Sequence, residues 1–114
     1  MIKMTMLLKR HPDISHAEFV RHHIETHGPL FRSIPEAAQH VLRYIQTHPS
    51  EGDFPVPQAD YDGTAELWFD SAEGMRTVLG SATYQQQVFP DEKTFLDHDN
   101  TLILVGEQTE IIAS

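Results

Sequence analysis

The alternation of hydrophobic and polar residues changes its period along the chain, and each period predicts a different element. Between Ile2 and Leu8 every second residue is apolar, which is typical of a strand with one buried face. From Ser15 onward the apolar residues recur at helical spacing, and Ser15 with Glu18 matches the capping box of a helix start. The Gly-Pro pair at positions 28–29 is expected to end or bend this helix, because the residue before proline avoids the helical region.

The second part of the chain continues the alternation of strands and helices. It predicts a strand at about 40–48, a polar loop at 50–62, a strand at 63–70, a helix from Asp70 or Ser71 to Gly80, a loose glutamine-rich stretch, a short helix at 91–95 and a last strand from Thr101 to about Ile112. The order strand, helix, strand, strand, helix, strand is that of the split βαβ motif. We therefore expect residues 1–114 to form one α+β domain, a ferredoxin-like βαββαβ fold with a four-stranded antiparallel sheet.

This architecture leaves one face of the sheet uncovered. Two helices cover a single face of a four-stranded sheet, so the other face needs a partner. The last strand supports a second buried face, because Leu102 to Val105 are apolar on both sides. A homodimer is the expected assembly.

Composition and charge exclude several classes of partner. The formal net charge of −9 repels a phosphate backbone, and no apolar run approaches the length of a membrane span, so we expect neither nucleic acid nor membrane as a partner. The chain has no cysteine, which excludes disulfides, thiolate zinc sites and a thiol nucleophile. The apolar stretch at its start is too short for a secretory signal, and we therefore expect a cytoplasmic protein.

Three histidines of the first helix fall on its apolar side. A helix advances about 100° per residue, which places His16, His23 and His27 on the arc of the apolar residues. An imidazole that faces a core needs a hydrogen-bond partner, so this arc indicates a polar-lined pocket; a ring satisfied by a backbone carbonyl is the alternative. His23 and His27 also have the spacing to reach one metal ion, with His16 or His48 as a third ligand. Since the glutamate between them stands in the wrong place for the metalloprotease pattern, we predict no metal and no cofactor.

Several short segments, spread over nearly the whole chain, form a recognisable set. They are Leu8-Lys9-Arg10, Ser15 to Phe19, His27-Gly28-Pro29-Leu30, Tyr44 to His48, Asp62-Gly63, Ala65 to Ser71, and Asp91-Glu92 with Phe95 and Asp97. This set resembles the EthD family of dimeric α+β barrels. The resemblance implies a two-subunit barrel with back-to-back sheets and a small-molecule cavity in each subunit, between helices and sheet.

The resemblance also implies a range of activities. Relatives include cofactor-free lactone isomerases, enzymes that dehydrate, cyclise or decarboxylate aromatic polyketides, and proteins of ether-degradation gene clusters without a defined chemistry. In the lactone isomerases, histidines, a tyrosine and a cysteine line the cavity. His27 and Tyr44 lie at comparable positions and His48 matches more loosely, whereas the cysteine has no counterpart, so the same isomerisation by the same residues is not expected.

Histidine suits proton transfer because it titrates near neutrality and both takes and gives a proton. We assign His27 as the general base, beside the bend at positions 28–29. Tyr44 and His48 share strand parity and lie about 13 Å apart at strand rise, so they would hold opposite ends of one ligand. The alternatives are a core aromatic for Tyr44 and an exposed strand end for His48.

Three further residues are candidates for substrate binding. His23 shares the inward arc, Glu66 alternates with large apolar neighbours and would be a candidate acid if buried, and Trp68 offers a flat wall for a ring. A solvated carboxylate is the alternative for Glu66, and a core or interface position for Trp68. The late acidic segment, Asp91, Glu92 and Asp97 with His98, is expected to serve capping and subunit contacts, with catalysis as the alternative.

The sequence thus favours a cofactor-independent enzyme that isomerises or dehydrates a small cyclic lactone or aromatic polyketide-like compound, with cyclisation and decarboxylation as variants. The second hypothesis is a non-catalytic accessory protein that binds a hydrophobic metabolite or haem. Both hypotheses place the ligand between the helices and the sheet.

Overall fold

Four antiparallel strands form one sheet, in the order β2-β3-β1-β4. The computed structural model describes residues 1–113. Along the chain lie β1 (Ile2–Leu8), α1 (His16–His22), a first π-helical turn (His23–His27), α2 (Gly28–Arg32), α3 (Ala37–His40), β2 (Val41–Thr47), β3 (Gly63–Phe69), α4 (Ala72–Leu79), a second π-helical turn (Tyr84–Val88), α5 (Phe89–Phe95), a 3-10 turn (His98–Asn100) and β4 (Leu102–Gly106). This arrangement confirms the ferredoxin-like α+β fold predicted from the element order.

One face of the sheet carries the hydrophobic core. Ala65, Leu67 and Phe69 of β3 are buried, as are Met4 and Leu8 of β1. The register places Met4 opposite Leu67, so both strands turn the same alternating set of residues toward the helices. The period-two pattern of the sequence is therefore confirmed on these central strands.

Two serines begin the main helices as their positions predict. The Ser15 hydroxyl accepts a hydrogen bond from the backbone N–H of Glu18, at 3.1 Å. The Ser71 hydroxyl accepts one from the backbone N–H of Gly74, at 2.9 Å. Each bond satisfies an amide that has no partner within the first helical turn.

Two helical segments pass through a proline instead of ending there. Gly28, which precedes Pro29, donates its backbone N–H to the carbonyl of His23, and Phe89, which precedes Pro90, donates to the carbonyl of Tyr84. Both bonds span five residues, which is the π-helical pattern. The expected break at positions 28–29 is therefore a widened turn, and the glutamine-rich stretch predicted as loose is helical.

The last strand is shorter than predicted. It ends at Gly106, not at about Ile112, because Gly106 already lies opposite Lys3 near the start of β1 and no partner strand extends further. The polar residues after Gly106 also interrupt the apolar pattern. None of the helices in residues 1–113 has the length and apolar character needed to cross a bilayer.

The face of the sheet that points away from the helices remains open in a single chain, and we refer to it as the open face. Strand register places Thr5, Glu66, Trp68 and Leu104 there, together with Leu102. Leu104 is 71% exposed. An exposed apolar edge strand of this kind is a candidate interaction surface.

Truncation of a core ring tests the packing against the sheet. Phe69 is completely buried, so Phe69→Ala is expected to lower the free energy of unfolding by about 3–5 kcal/mol. The matched control is Phe54→Ala, because Phe54 is 47% exposed and its loss is expected to cost less than about 0.5 kcal/mol. Urea unfolding of both variants measures the difference, and equal losses would contradict this account of the core.

Candidate active site

A cavity of about 180 Å³ lies between the helices and the sheet. Its polar lining residues are His23, His27, Tyr44, Tyr84, Glu92 and His98, and the rest of its wall is apolar. An apolar cavity of about 150 Å³ is known to accept benzene. The volume therefore fits a compound with a single ring.

His27 enters this cavity as one half of a histidine–carboxylate pair. Its Nδ1 lies 2.9 Å from Oδ2 of Asp91, in the first turn of α5, and its side chain is 8% exposed. A carboxylate only accepts hydrogen bonds, so Nδ1 carries the proton and Nε2 carries a free lone pair. Nε2 makes no hydrogen bond to any of residues 1–113, which leaves it available to a ligand in the cavity.

A second histidine fixes the same carboxylate. His22 Nε2 lies 2.9 Å from both oxygens of Asp91, so this carboxylate accepts hydrogen bonds from two imidazoles. The ring of Phe95 packs against both histidines, with centroid distances of 4.6 Å to His22 and 4.9 Å to His27. Asp91 and Phe95 therefore hold the His27 ring in one orientation.

Gln46 connects β2 to the first π-helical turn. Its Nε2 donates to the carbonyl of His23 at 2.8 Å and to the hydroxyl of Tyr44 at 3.0 Å. Because the Tyr44 oxygen accepts from Gln46, its own proton remains free for a ligand. Burial, and then the nearby charge of Glu92, raise the pKa of Tyr44 against the opposing effect of the Gln46 hydrogen bond, which keeps the phenol protonated at neutral pH.

His23 and His48 form a neutral pair at the same end of the cavity. His23 Nδ1 lies 2.8 Å from His48 Nε2, so one ring donates and the other accepts. Burial, followed by the electrostatic effects of His48, His27 and His22, lowers the pKa of His23 to about 3. Burial also lowers the pKa of His48, with a smaller effect from His16. His48 thus contacts the candidate site through His23.

A second cluster of polar groups lies elsewhere in the cavity wall. Glu92 is 6% exposed and accepts a hydrogen bond from the Tyr84 hydroxyl at 2.7 Å. Its other oxygen lies 3.2 Å from His98 Nε2. Burial and the charge of Glu92 raise the pKa of Tyr84 far above its ordinary value, so this phenol stays protonated and supports the carboxylate.

The structure separates some residues that the sequence placed together. Glu66 and Trp68 lie on the open face, where Lys3 forms an ion pair of 2.6 Å with Glu66 and stacks over Trp68 at 4.6 Å. They do not join His23, His27 and Tyr44, because alternate residues of β3 point to opposite sides of the sheet.

His16 also differs from its expected placement. It is exposed, and its Nδ1 lies 2.7 Å from the Asp62 carboxylate, outside the cavity. It is the first residue of α1, where the capping turn directs the chain toward solvent. The burial of His23 and His27, by contrast, confirms their inward orientation.

Four functional candidates were missed because the second helical region was not recognised as one unit. The sequence favoured capping and subunit contacts for Asp91, Glu92 and His98, with catalysis only as the alternative, and it gave Tyr84 no role. Helical spacing was the available signal, since Tyr84, Val88 and Glu92 are four residues apart and share one face. A proline inside this stretch hid that signal.

The histidines do not converge on a metal-binding arrangement. His23 pairs with His48, and His27 pairs with Asp91. Among residues 1–113, no group of three or more histidine, aspartate or glutamate side chains is placed to hold one ion.

Comparison with known proteins relates this geometry to a family. The family model described as EthD domain matches residues 11–99. A search of curated proteins found no match.

Solved structures from several organisms share the fold. An ethyl tert-butyl ether degradation (EthD) family protein from Bacillus halodurans C-125 has a TM-score of 0.71 at 19% identity, with 96% of this chain and 100% of that chain covered. A dimeric ferredoxin-like protein of unknown function from Thermobifida fusca has a TM-score of 0.66 at 13% identity, covering 94% and 90%. A mutant form of SnoaB, a cofactor-independent oxygenase from Streptomyces nogalater, has a TM-score of 0.61 at 11% identity, covering 99% and 97%. These identities support the common fold alone.

The low pKa of His23 predicts a specific loss of stability in acid. Its pKa is about 3 in the folded protein, against an ordinary value of 6.5, so the unfolded chain takes up this proton first as the pH falls. The stability contribution is complete above about pH 6.5 and is lost toward pH 3.

The variant His23→Asn retains a polar side chain but does not titrate. We measure its unfolding free energy in urea between about pH 6 and pH 4. As the pH falls, we expect this free energy to decrease by ~1.4 kcal/mol per pH unit less than that of the unsubstituted protein. His11→Asn, which removes a partly exposed imidazole beside Asp13, is the matched control. An unchanged slope in His23→Asn would contradict this assignment.

Proposed function

This chain belongs to the EthD family, and within that family we propose that it is an enzyme that transfers protons without a cofactor on a small, single-ring compound. The observation that carries this proposal is the hydrogen bond of 2.9 Å between His27 Nδ1 and Asp91 Oδ2, which leaves Nε2 as a base toward the cavity. A lactone or an aromatic hydroxylated ring is the favoured substrate class.

His27 has the three properties that a general base requires. Asp91 fixes its tautomer and stabilises the imidazolium that forms when Nε2 takes a proton. Phe95 and Asp91 hold the ring, so little reorganisation accompanies the proton transfer. Most of the cavity wall is apolar, and apolar surroundings strengthen the interaction of the base with a carbon acid.

Tyr44 supplies the complementary donor. Gln46 occupies its oxygen as an acceptor, so its phenol proton can bind a carbonyl or enolate oxygen of the ligand. Removal of a proton next to that carbonyl by His27 then gives an enol whose oxygen Tyr44 stabilises. Isomerisation, dehydration, cyclisation and decarboxylation of small rings all use such an intermediate.

Size and lining limit the substrate. A cavity of about 180 Å³ suits a single ring of the lactone or phenol type, and it is too small for the four joined pyrrole rings of haem. The structural similarity to SnoaB, a cofactor-independent oxygenase, supports chemistry without a cofactor in this fold. An accessory protein that binds a hydrophobic metabolite would use the same cavity, and the experiment below distinguishes the two.

We also propose that the chain forms a homodimer through the open face. Leu102 and Leu104 are 53% and 71% exposed there, although β4 is paired with β1 in the same sheet. The similar protein from Thermobifida fusca is described as dimeric. Burial of this apolar face against a second copy would remove the largest unpartnered surface of the sheet.

Loss of the base is expected to abolish carbon-acid chemistry. α-Angelica lactone, an enolisable five-membered ring, is the probe, and proton NMR in heavy water measures deuterium uptake next to its carbonyl. His27→Gln is expected to slow this exchange by about 100-fold or more, because glutamine cannot take the proton. His40→Gln is the matched control, since His40 forms an equivalent pair of 2.9 Å with Asp70 outside the cavity lining.

The other outcomes separate the hypotheses. Equal exchange by His27→Gln and the unsubstituted protein would overturn the assignment of the base. Thermal stabilisation by the lactone without any exchange would overturn the enzyme proposal in favour of an accessory binding protein. Neither binding nor exchange, with this lactone and with a β,γ-unsaturated cyclohexenone, would overturn the substrate class.

A charge on the open face is expected to prevent dimer formation. Leu104→Asp places a carboxylate in the proposed interface, where its burial without a partner is costly. Light scattering after size-exclusion chromatography is expected to give the monomer mass for this variant and the dimer mass for the unsubstituted protein. Ile24→Asp is the control, because Ile24 is also exposed, at 51%, but lies on the helical side. A dimeric Leu104→Asp protein would contradict this interface.

A further inference from the structure

We propose that His98 is a second catalytic residue of the cavity, which delivers a proton to the ring at a position other than the one deprotonated by His27. This inference rests on the proposed function, since it needs a substrate in the same cavity. A second catalytic group implies a reaction that changes two separate atoms of the substrate. Such a reaction is a 1,3-shift of a ring double bond, or the loss of a hydroxyl group as water.

His98 is held by contacts on two sides. Its Nε2 lies 3.2 Å from Oε1 of Glu92, and its ring lies 5.6 Å from the ring of Phe89, centroid to centroid. The Tyr84 hydroxyl occupies the other oxygen of Glu92, at 2.7 Å. Because Glu92 only accepts, Nε2 of His98 donates, and Nδ1 is the atom without a partner among residues 1–113.

The two histidine–carboxylate pairs come from adjacent positions of α5. Asp91 holds His27 and Glu92 holds His98, and both imidazoles line the cavity. Neighbouring helical residues point about 100° apart, and the two imidazoles come from different elements, the first π-helical turn and the 3-10 turn. Such a placement suits removal of a proton from one atom of a ring and delivery to another.

The two pairs differ in their access to water. The side chain of His27 is 8% exposed, whereas that of His98 is 37% exposed. His98 also lines a pocket on the surface, from which it can regain a proton from solvent after each turnover. When both ring nitrogens of His98 carry a proton, Nδ1 can donate one to the ring while Nε2 keeps its hydrogen bond to Glu92.

The proton balance of the reaction is complete with these two groups. For a β,γ-unsaturated lactone, the proton next to the carbonyl moves to Nε2 of His27, and its electron pair forms the dienolate whose oxygen Tyr44 holds. The far end of the dienolate then forms a C–H bond with the proton of His98 Nδ1, and the double bond moves into conjugation. His27 releases a proton to solvent and His98 takes one up, so no oxidant or further reactant is needed.

The experiment separates removal of the first proton from delivery of the second. α-Angelica lactone loses its proton next to the carbonyl and gains one at the methyl-bearing ring carbon when it becomes its conjugated isomer. In heavy water, exchange at the first carbon reports His27 and formation of the isomer reports His98, and one NMR time course follows both. We expect His98→Gln to keep the exchange rate within about threefold and to lower isomer formation by ~100-fold.

Glutamine at position 98 tests the chemistry without removing the structural contact, since its amide can still donate to Glu92. Thermal unfolding checks that the variant is folded, and His11→Gln, at a histidine on the nearby surface, is the control. If His98→Gln destabilises the fold, His98→Asn is measured in its place.

Each outcome bears on a specific assignment. Isomer formed by His98→Gln or His98→Asn at the unsubstituted rate would overturn the role of His98 while leaving that of His27 intact. Parallel loss of exchange and isomer formation would overturn the separation of the two roles. Absence of exchange in the unsubstituted protein would overturn the proposed function, and the inference with it.

Discussion

Proline has no backbone N–H, and the two prolines within helical segments constrain the whole helical layer of this protein. At Pro29 and Pro90 the ordinary hydrogen bond to the fourth residue before cannot form. In both places the chain bonds across five residues just before the proline, from Gly28 to His23 and from Phe89 to Tyr84. The widened turn lets the helix continue, and it aligns His23 and His27 in the first segment and Tyr84 and Glu92 in the second with one cavity. Both turns lie where functional groups meet, as π-helical turns commonly do.

The start of α5 connects these two widened turns. Asp91 and Glu92 follow Pro90 directly, and each carries a negative charge into a largely apolar region that would disfavour it without donors. Asp91 receives hydrogen bonds from His22 and His27, and Glu92 from Tyr84 and His98. The need to satisfy two adjacent carboxylates thus positions two imidazoles. The same contacts that stabilise the helical layer leave one nitrogen of each ring without a hydrogen bond to any of residues 1–113.

Much of the fold could be predicted from the sequence because it depends on local patterns. Period-two alternation in β1 and β3, and serine caps at positions 15 and 71, act within a few residues and correspond directly to the structure. The end of β4 could not be predicted in this way, since it depends on where β1 begins. About half of the candidate site could be predicted. His23, His27 and Tyr44 lie on the first helical region and on β2, where the spacing of apolar residues indicates the type of element clearly. Asp91, Glu92 and His98 come from a region where a proline obscured the helical spacing. Their contacts also join residues that are apart in sequence: Asp91 and His27 by 64 residues, Glu92 and Tyr84 by 8, and His98 and Glu92 by 6.

A small number of polar contacts therefore connects the helical layer to the cavity. Within the part of the chain that the structure describes, removal of the Asp91 carboxylate would leave both His22 and His27 without the acceptor that they share, so its loss affects the packing of the helices as well as the orientation of the His27 ring. His27 Nε2 differs from Nδ1, because it makes no hydrogen bond to any of residues 1–113. A fold of this kind can therefore host different functions: the sheet and the apolar wall define the size of the cavity, whereas the side chains at a few cavity positions define which polar atoms face a ligand.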